Sequence, residues 1–336
     1  DGGEGLASIL TFHAKGHSIK TQAHDPHNRL IEAEYGISGD NKTAFIEMAQ
    51  ASGLQLLKPE ERNCYYTSTY GTGELILNAS QNQQVNEIIL GLGGSATCDG
   101  GMGMVQAMGY QFLDEHGNEL EGIGANLSKI TTIDDRHLKV ALSGITIRVA
   151  CDVANPLTGQ KGAAHIFAPQ KGATPQHVEA LEKGMENLAQ QIKSAFGKDV
   201  KYLQGAGAAG GLGAGAVGFL NGTLEKGIDL VMEQTKFEAQ VKECDYVITG
   251  EGKIDRQSLY GKVINGVSQL AQKYNKPVIA LGGNIESDPE LIKELGLKAA
   301  FPILTEPMNL QVALVNTYDQ LRFGTFNIGQ TIDSCK

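Results

Sequence analysis

The spacing of hydrophobic and polar residues is most informative over residues 87–103, EIILGLGGSATCDGGMG. A short apolar run, a glycine-rich loop and an apolar-periodic segment predict a buried strand, a loop and a helix. Backbone N–H groups at such a helix start can bind an anion, and glycines let the backbone approach a ligand. A tight turn would need the same glycines. Because Ser95, Thr97 and Asp99 alternate through the loop, we favour a binding loop.

Two further patterns lie in the first half of the chain. Residues 31–37 alternate apolar and polar side chains, as in a half-buried strand, and residues 43–48 form a second predicted strand. Residues 38–42 between them are typical of a turn, so the segment predicts a β-hairpin. TSTYGTGEL at 67–75 opens a predicted helix with hydroxyls and glycines. These groups can cap the free N–H groups of the first turn, or they can bind a phosphate.

The second half of the chain is regular. Thr174 and Pro175 start a predicted helix that ends at Gly197, and its apolar stripe indicates core packing. Predicted strands at 246–249, 277–281 and 299–304 alternate with helices at 258–274, 289–295 and from about 310. This alternation predicts a parallel sheet with helices on both faces, whose ligands bind beyond the carboxyl ends of the strands.

Polar side chains follow several predicted strands. Asp152 and Asn155 come after the alternating run Ile145, Ile147 and Val149. GEGKIDRQS at 250–258 and GGN at 282–284 follow the C-terminal strands. An isolated Asp in such a position can equally cap the next turn.

Composition narrows the class of protein. The chain has 336 residues, enough for two domains, and its 43 glycines exceed the usual share of about 7%. Lys plus Arg is 28 against 38 Asp plus Glu, a net charge of −10, which argues against a nucleic-acid partner. The five cysteines show no metal spacing and suggest reduced thiols in a cytoplasmic protein. No apolar run is long enough to span a bilayer, so no membrane partner is expected.

The segment 205–215, GAGAAGGLGAG, contains the pattern G-x-G-x-x-G. The candidate strand before it, residues 200–203, is only weakly indicated by the sequence. A segment this rich in glycine also produces the pattern by chance. Close helix packing or a backbone that faces a nucleotide is the better interpretation. A nicotinamide-dependent oxidoreductase is an alternative that depends on this segment alone.

Seven segments occur in the order DGGEG, TSTYGTGELI, LGLGGSATCDGGMGMVQAMGYQF, ACDVANPLTG, FAPQKGAT, GAGAAGGLGAG and VITGEGKIDRQSLYGK. Together they resemble the bacterial glycerate kinases of the first type, over essentially the whole chain. The resemblance implies ATP-dependent phosphorylation of D-glycerate on its 2-hydroxyl, which gives 2-phosphoglycerate. It also implies two α/β domains. One is flavodoxin-like, a parallel sheet with helices on both faces, and the other is an inserted mixed α/β domain that resembles the restriction-endonuclease fold.

The resemblance assigns residues 1–14 and 236–336 to the flavodoxin-like domain and residues 15–235 to the insert. Family members carry a strand and a further loop ahead of DGGEG. We therefore expect the flavodoxin-like domain of this chain to lack its usual N-terminal strands.

Phosphoryl transfer requires alignment of the hydroxyl with the γ-phosphate, neutralisation of charge and usually Mg²⁺. Asp152 or Asp255 is the expected proton acceptor, and Glu251 the expected metal ligand. The predicted substrate-binding residues are Gly93, Gly94, Ser95, Thr97, Asp99, Asn155 and Arg256. The predicted nucleotide-binding residues are Thr72, Gly73, Gly205, Gly207, Gly210, Gly211, Lys253 and Lys262. Lys171 is a further cation close to these loops.

The expected ligands are therefore glycerate, ATP and Mg²⁺, and the sequence is compatible with a homo-oligomer. A non-catalytic protein that binds a nucleotide or a sugar acid is a second alternative. Such a protein would bind ATP without forming product.

Overall fold

A computed structural model describes residues 2–138, 142, 144–259 and 263–334. Contacts between residues divide the chain into two compact units, Asp1–Thr235 and Lys236–Lys336. Both units combine β-sheet with helices, so the chain is an α/β protein with a mixed sheet in one unit and a parallel sheet in the other. The predicted α/β class is confirmed at this level.

The first unit is built on a mixed sheet. Its strands along the chain are β1 (His17–His24), β2 (Leu30–Ile37), β3 (Thr43–Glu47), β4 (Glu87–Gly91), β5 (Gln111–Leu113), β6 (Thr132–Asp134), β7 (Thr146–Ala150) and β8 (Thr223–Glu225). The spatial order of the sheet is β1-β2-β3-β4-β7-β8, and β5 pairs with β6 separately. β1, β2 and β3 pair antiparallel, whereas β3, β4, β7 and β8 pair parallel.

The helices of the first unit cover both faces of this sheet. They are α1 (Leu6–His13), α2 (Ala49–Ser52), α3 (Tyr70–Ser80), α4 (Met102–Ala107), α5 (Ala163–Phe167), α6 (Pro175–Phe196), α7 (Ala208–Leu220) and α8 (Gly227–Gln234). Ile88 and Leu90 of β4 belong to the large core on one face. Ile89, between them, packs with Leu6 and Leu10 of α1 on the other face. The continuous apolar run of β4 is thus typical of a parallel strand buried on both sides.

The predicted hairpin is confirmed, since β2 and β3 pair antiparallel with Gly36 opposite Phe45. The sequence pattern missed β1, because His17–His24 is a largely exposed edge strand without apolar alternation. The helix predicted from Thr174 is confirmed as α6: Thr174 Oγ1 accepts a hydrogen bond from His177 N, and the helix ends at Gly197 with φ 70°. Among the described residues, the thin strand expected at 200–203 does not form.

The second unit confirms the predicted alternation. Its strands β9 (Val247–Ile254), β10 (Val278–Ile285) and β11 (Ala299–Pro302) form a parallel sheet in the order β11-β10-β9. Its helices are α9 (Phe237–Glu243), α10 (Val263–Lys273), α11 (Pro289–Glu294), α12 (Leu310–Val315) and α13 (Thr317–Ser334). A separate small core joins Ile279 and Leu281 of β10 with Ile328 of α13.

Helix α1, which lies within residues 2–14, packs against β2, β3 and α8 of the first unit. The assignment of residues 1–14 to a flavodoxin-like domain stays a prediction. No helix within the described residues is both long enough and apolar enough to cross a membrane.

Candidate active site

A cavity of about 410 Å³ opens in the first unit at the carboxyl ends of β4 and β7. Its walls are formed by residues 2–3, 92–95, 150–153, 167, 170–171 and 208–209 together with Leu54. Because β4 and β7 are adjacent parallel strands, the loops that follow them meet at one edge of the sheet. Gly93, Gly94, Ser95 and Asp152, all predicted from the sequence, therefore line one cavity.

The loop after β4 is held by main-chain contacts. Gly93 N donates to Gly2 O over 2.9 Å, and Leu54 N donates to Gly94 O over 2.8 Å. A Cβ at position 93 would clash with the Gly3 backbone. The Gly93 N–H that we expected to bind an anion is thus already bonded within the fold, and the loop contributes shape and side chains instead.

Lys171 lies directly beneath this loop. Its Nζ donates to Ser95 Oγ over 2.5 Å and to Thr97 O over 2.9 Å, and the residue is only 2% exposed. Thr97 is fully buried, and its Oγ1 has no hydrogen-bond partner within the described residues. Ser95 reaches the cavity, whereas Thr97 does not line it.

Asp152 is an exposed carboxylate on the wall that follows β7. One of its oxygens accepts a hydrogen bond from Gly2 N, and the other accepts one from Gly227 N over 3.0 Å. Gly227 is the first residue of α8, so the carboxylate lies at the positive end of that helix. The two N–H donors fix the orientation of a negatively charged acceptor at the cavity.

Asn155 has a different position from the one expected. Its Nδ2 donates to Lys161 O over 2.8 Å, and its main-chain oxygen accepts from Gly207 N over 3.0 Å. These bonds hold the loop at 155–161, and Asn155 is not among the described residues that line the cavity.

Asp99 joins two helix starts. The fully buried carboxylate accepts hydrogen bonds from the N–H and hydroxyl of Thr69, before α3, and from Gly101 N and Gly103 N at the start of α4. Burial raises the pKa of Asp99, and these donors oppose the rise. The geometry gives Asp99 a structural position rather than the substrate contact that we expected.

Thr72 and Gly73 also pack inside the fold. Thr72 Oγ1 shares a 2.7 Å hydrogen bond with Ser52 Oγ, and a Cβ at position 73 would clash with Met104 O of α4. The hydroxyl and glycine pattern of this segment thus serves helix packing, and the structure lends no support to a nucleotide contact there.

The glycines of 205–215 pack main chain against main chain. Ala209, Gly210 and Gly211 have φ values of 52°, 65° and 89°, so the regular part of α7 begins only after them. A Cβ at position 210 would clash with Thr97 O, and one at position 211 would lie 2.9 Å from Gly100 Cα.

The other two candidate glycines of this segment are equally enclosed. A Cβ at Gly205 would lie 3.0 Å from Cys151 Sγ, and one at Gly207 would clash with Pro156 O. Of the segment, Ala208 and Ala209 line the cavity. Neither a nucleotide contact of these glycines nor the nicotinamide alternative gains support.

In the second unit, the remaining predicted residues cluster at the end of β9. Lys253 Nζ lies 2.8 Å from Asp255 Oδ2, and this carboxylate raises the pKa of Lys253. Arg256 pairs with Asp288 over 2.7 Å. Glu251 accepts hydrogen bonds from Ser258 Oγ and from Ile264 N of α10, each over 3.3 Å. Lys262 lies outside the described residues.

Glu251 also lines a cavity of about 1280 Å³ within the second unit, together with Asn284 and many apolar side chains. Asp255, by contrast, is 8% exposed and does not line it. No group of three or more His, Cys, Asp or Glu side chains suited to a metal occurs in the part of the chain that the structure describes.

The segment 163–171 contributes more to the cavity than its sequence pattern predicts. Lys171, Phe167 and Gln170 form one wall, although the pattern marks Lys171 only as one of several cations near the loops and does not mark the other two. The available signal was the motif FAPQKGAT at 167–174, which only the family resemblance drew attention to.

The model of the glycerate kinase family matches residues 1–333. The chain is 45% identical over 314 residues to "Glycerate kinase" of Halalkalibacterium halodurans, covering 94% of this chain and 82% of that one. It is 44% identical over 332 residues to "Glycerate 2-kinase" of Escherichia coli K12, covering 99% and 87%. A crystal structure described as that of a glycerate kinase 2 from Salmonella typhimurium LT2 superimposes with a TM-score of 0.88 at 41% identity, covering 99% of this chain and 87% of that one. This chain belongs to the glycerate kinase family.

Proposed function

We propose that this protein transfers the γ-phosphoryl group of ATP to the 2-hydroxyl of D-glycerate and releases 2-phosphoglycerate and ADP. Family membership over residues 1–333 and the 44% identity to a glycerate 2-kinase support this function. The structural observation that carries it is the cavity at the ends of β4 and β7, where Asp152 faces a space suited to a small molecule.

Asp152 is our choice for the group that accepts the hydroxyl proton. It is exposed at the cavity, and its two N–H donors leave acceptor positions for a substrate hydroxyl, since a carboxylate has about four. As the proton moves to Asp152, the substrate oxygen forms its bond to the γ-phosphorus and the bond to ADP breaks. Asp255 is largely buried and paired with Lys253, which suits it to holding that lysine.

The cluster at the end of β9 is our candidate for ATP and Mg²⁺. Protein sites for Mg²⁺ in phosphoryl transfer use one or two carboxylates together with phosphate oxygens and water, so a single carboxylate such as Glu251 fits this chemistry. When bound, Mg²⁺ neutralises charge on the phosphates. Lys253 is 62% exposed in its side chain and supplies a cation of the kind that phosphates require.

We also propose the finer description of the fold. The parallel order β11-β10-β9 with flanking helices supports a flavodoxin-like domain, and the mixed sheet of the first unit supports an inserted domain like the restriction endonucleases. The cytoplasmic location and a homo-oligomer stay predictions. The alternatives of an oxidoreductase and of a non-catalytic binding protein have no observation in their favour.

The function is tested by incubating the protein with ATP, Mg²⁺ and D-glycerate and following ADP release. Phosphorus NMR identifies the product, since the 2- and 3-phosphoglycerates differ in the carbon that bears the phosphate. We expect ADP and 2-phosphoglycerate in equal amounts. ADP release without dependence on glycerate, or 3-phosphoglycerate as the product, would contradict the proposal.

A further inference from the structure

Lys171 places a positive charge in the protein interior. The residue is 2% exposed, and both groups that hold its Nζ, Ser95 Oγ and Thr97 O, are uncharged. Among the described residues, Lys171 forms no ion pair with a carboxylate. An ionised group is costly to bury unless an opposite charge compensates it. A small anion bound beside Lys171 would supply such a compensating charge.

Two thiols also lie within electrostatic range of Lys171. A hydrogen bond between the two thiols raises the pKa of Cys64 and lowers that of Cys98, whereas burial acts to raise both pKa values and the Lys171 ammonium group acts to lower both. Neither thiol lines the cavity. Lys171 and Ser95, by contrast, both line it.

Ser95 extends this positive site to the cavity surface. Because Lys171 donates to Ser95 Oγ, that oxygen acts as the acceptor in the pair, and the hydroxyl hydrogen is directed to another group. An ammonium and a hydroxyl that both offer donors match the two oxygens of a carboxylate. The same pair offers no strong acceptor to a neutral polyol.

The charged side chains of the cavity favour a hydroxy acid over a triphosphate as its ligand. Among the described residues that line it, the charged side chains are Lys171 and Asp152, one of each sign. A triphosphate carries several negative charges and would face the Asp152 carboxylate with a single compensating cation. A hydroxy acid fits both groups, since its carboxylate complements Lys171 and its hydroxyl can donate to Asp152.

We propose that Lys171, acting with Ser95, binds the carboxylate of the acceptor substrate and makes the site selective for small 2-hydroxycarboxylates over neutral polyols and over the nucleotide. This proposal rests on the function proposed above and assigns the substrate, rather than ATP, to the cavity of the first unit. Lys171 thereby anchors one end of the substrate while Asp152 receives the hydroxyl at the other.

Lys171→Met tests this assignment, because methionine keeps the length of the side chain and removes its charge. Loss of a charge-assisted hydrogen bond predicts a KM for D-glycerate raised about 10- to 100-fold, with the KM for ATP changed less than about twofold. D-glycerate should also no longer raise the Tm of this variant, whereas ATP with Mg²⁺ should raise it as in the parent. Lys171→Arg should restore part of the glycerate response, and Lys161→Met, at an exposed lysine, is the matched control.

The outcomes are distinguishable. If the parent protein neither binds nor phosphorylates D-glycerate, the proposed function fails and this inference with it. If Lys171→Met responds to D-glycerate as the parent does, the inference alone is overturned. A rise in the KM for ATP equal to that for glycerate would place a phosphate at Lys171 and would also overturn it.

Should Lys171→Met not fold, Ser95→Ala decides the question. It removes the hydroxyl donor at the cavity and should raise the KM for D-glycerate about 3- to 10-fold, while the KM for ATP stays the same. An unchanged KM for D-glycerate in Ser95→Ala would then overturn the proposal.

Discussion

At the scale of single residues, the site depends on carboxylates held in quite different environments. Asp152 is exposed and oriented by two N–H groups, Asp99 is buried and saturated by four donors, and Asp255 is paired with Lys253. All three lie in loops that follow β4, β7 and β9, so their settings along the chain are alike. Their contacts, and not their patterns, separate the candidate for proton transfer from the residues that hold the fold.

Asp152→Asn should lower kcat at least about 100-fold, because the amide cannot accept the hydroxyl proton. The KM values should change little, since the amide oxygen can still accept one of the two N–H groups. Steady-state kinetics on folded protein provide the measurement, with Asp229→Asn, an exposed position on α8, as the control. A kcat close to that of the parent would remove Asp152 from proton transfer and turn attention to Asp255.

The buried carboxylate of Glu47 makes the stability of the fold depend on pH. The carboxylate is buried at the end of β3 and accepts a 2.7 Å hydrogen bond from Ala7 N in the first turn of α1. Burial raises its pKa above the usual 4.5. The folded protein therefore retains this proton more strongly than the unfolded chain, and stability declines as the pH rises from about 4.5 through the folded pKa.

Glu47→Gln should remove this loss, because the amide oxygen keeps the bond to Ala7 without a charge. Urea denaturation between pH 5 and pH 8 should show the variant gaining stability over the parent as the pH increases. Glu60→Gln, at an exposed carboxylate, should leave the pH dependence of the parent unchanged. A constant difference between Glu47→Gln and the parent over this range would contradict the expectation.

At the scale of elements, the contact between the loop at 97–101 and the start of α7 positions one wall of the cavity. Two features require glycine at position 210: its φ is 65°, and a Cβ there would clash with Thr97 O. Gly117 has a φ of 79° but open space where a Cβ would lie. Comparing the two positions separates the cost of backbone strain from the cost of displacing the loop.

Gly117→Ala should lower the free energy of unfolding by about 1–2 kcal/mol, the cost of a left-handed residue with a side chain. Gly210→Ala should lower it by more than that and should reduce activity, because Thr97 and the neighbouring Ser95 must shift. Chemical denaturation with activity assays on the folded fraction measures both effects. Equal losses in the two variants would show that the main-chain contact has little influence.

Elements with a strong local pattern could be predicted from the sequence. The hairpin, helix α6 with its Thr174 cap and the alternation of the second unit each depend on residues close together along the chain. β1 could not be found in this way, because as an exposed edge strand it depends on pairing with β2 rather than on burial.

The site was predictable only in part for the same reason. Its loops follow strand ends, so Gly93, Ser95 and Asp152 could be named in advance. The bonds of Asp99 to Thr69, thirty residues away, and of Lys171 to Ser95, seventy-six residues away, depend on tertiary structure. No periodicity or turn signal encodes such partners, and dense glycines look the same whether they face a ligand or another backbone.

At the scale of the whole molecule, the two units have separate cores. Leu90 is fully buried in the core of the first unit, and Leu281 belongs to the core of the second. Multi-domain proteins commonly depart from two-state unfolding because each core can open by itself. Truncation of a buried leucine should thus loosen its own unit.

Leu90→Ala and Leu281→Ala should each cost about 2–5 kcal/mol in the unit that contains the leucine. Hydrogen exchange measured by mass spectrometry should show faster exchange in β3, β4 and β7 for Leu90→Ala, and in β9 and β10 for Leu281→Ala. Each variant serves as the control for the other. Faster exchange throughout the chain in both would mean that the units unfold together.

The main-chain packing of Gly93 against Gly3, and of Gly210 against Thr97, has a consequence for how this protein can change over evolutionary time. Cavity walls fixed by backbone contacts keep their spacing when the surrounding side chains are replaced. Mutations at wall positions such as Phe167 or Gln170 can therefore alter substrate preference without rebuilding the scaffold. The glycines themselves cannot be replaced in this way, because a side chain would break the backbone contacts. The same contacts thus allow the wall side chains to vary and prevent the glycines from varying.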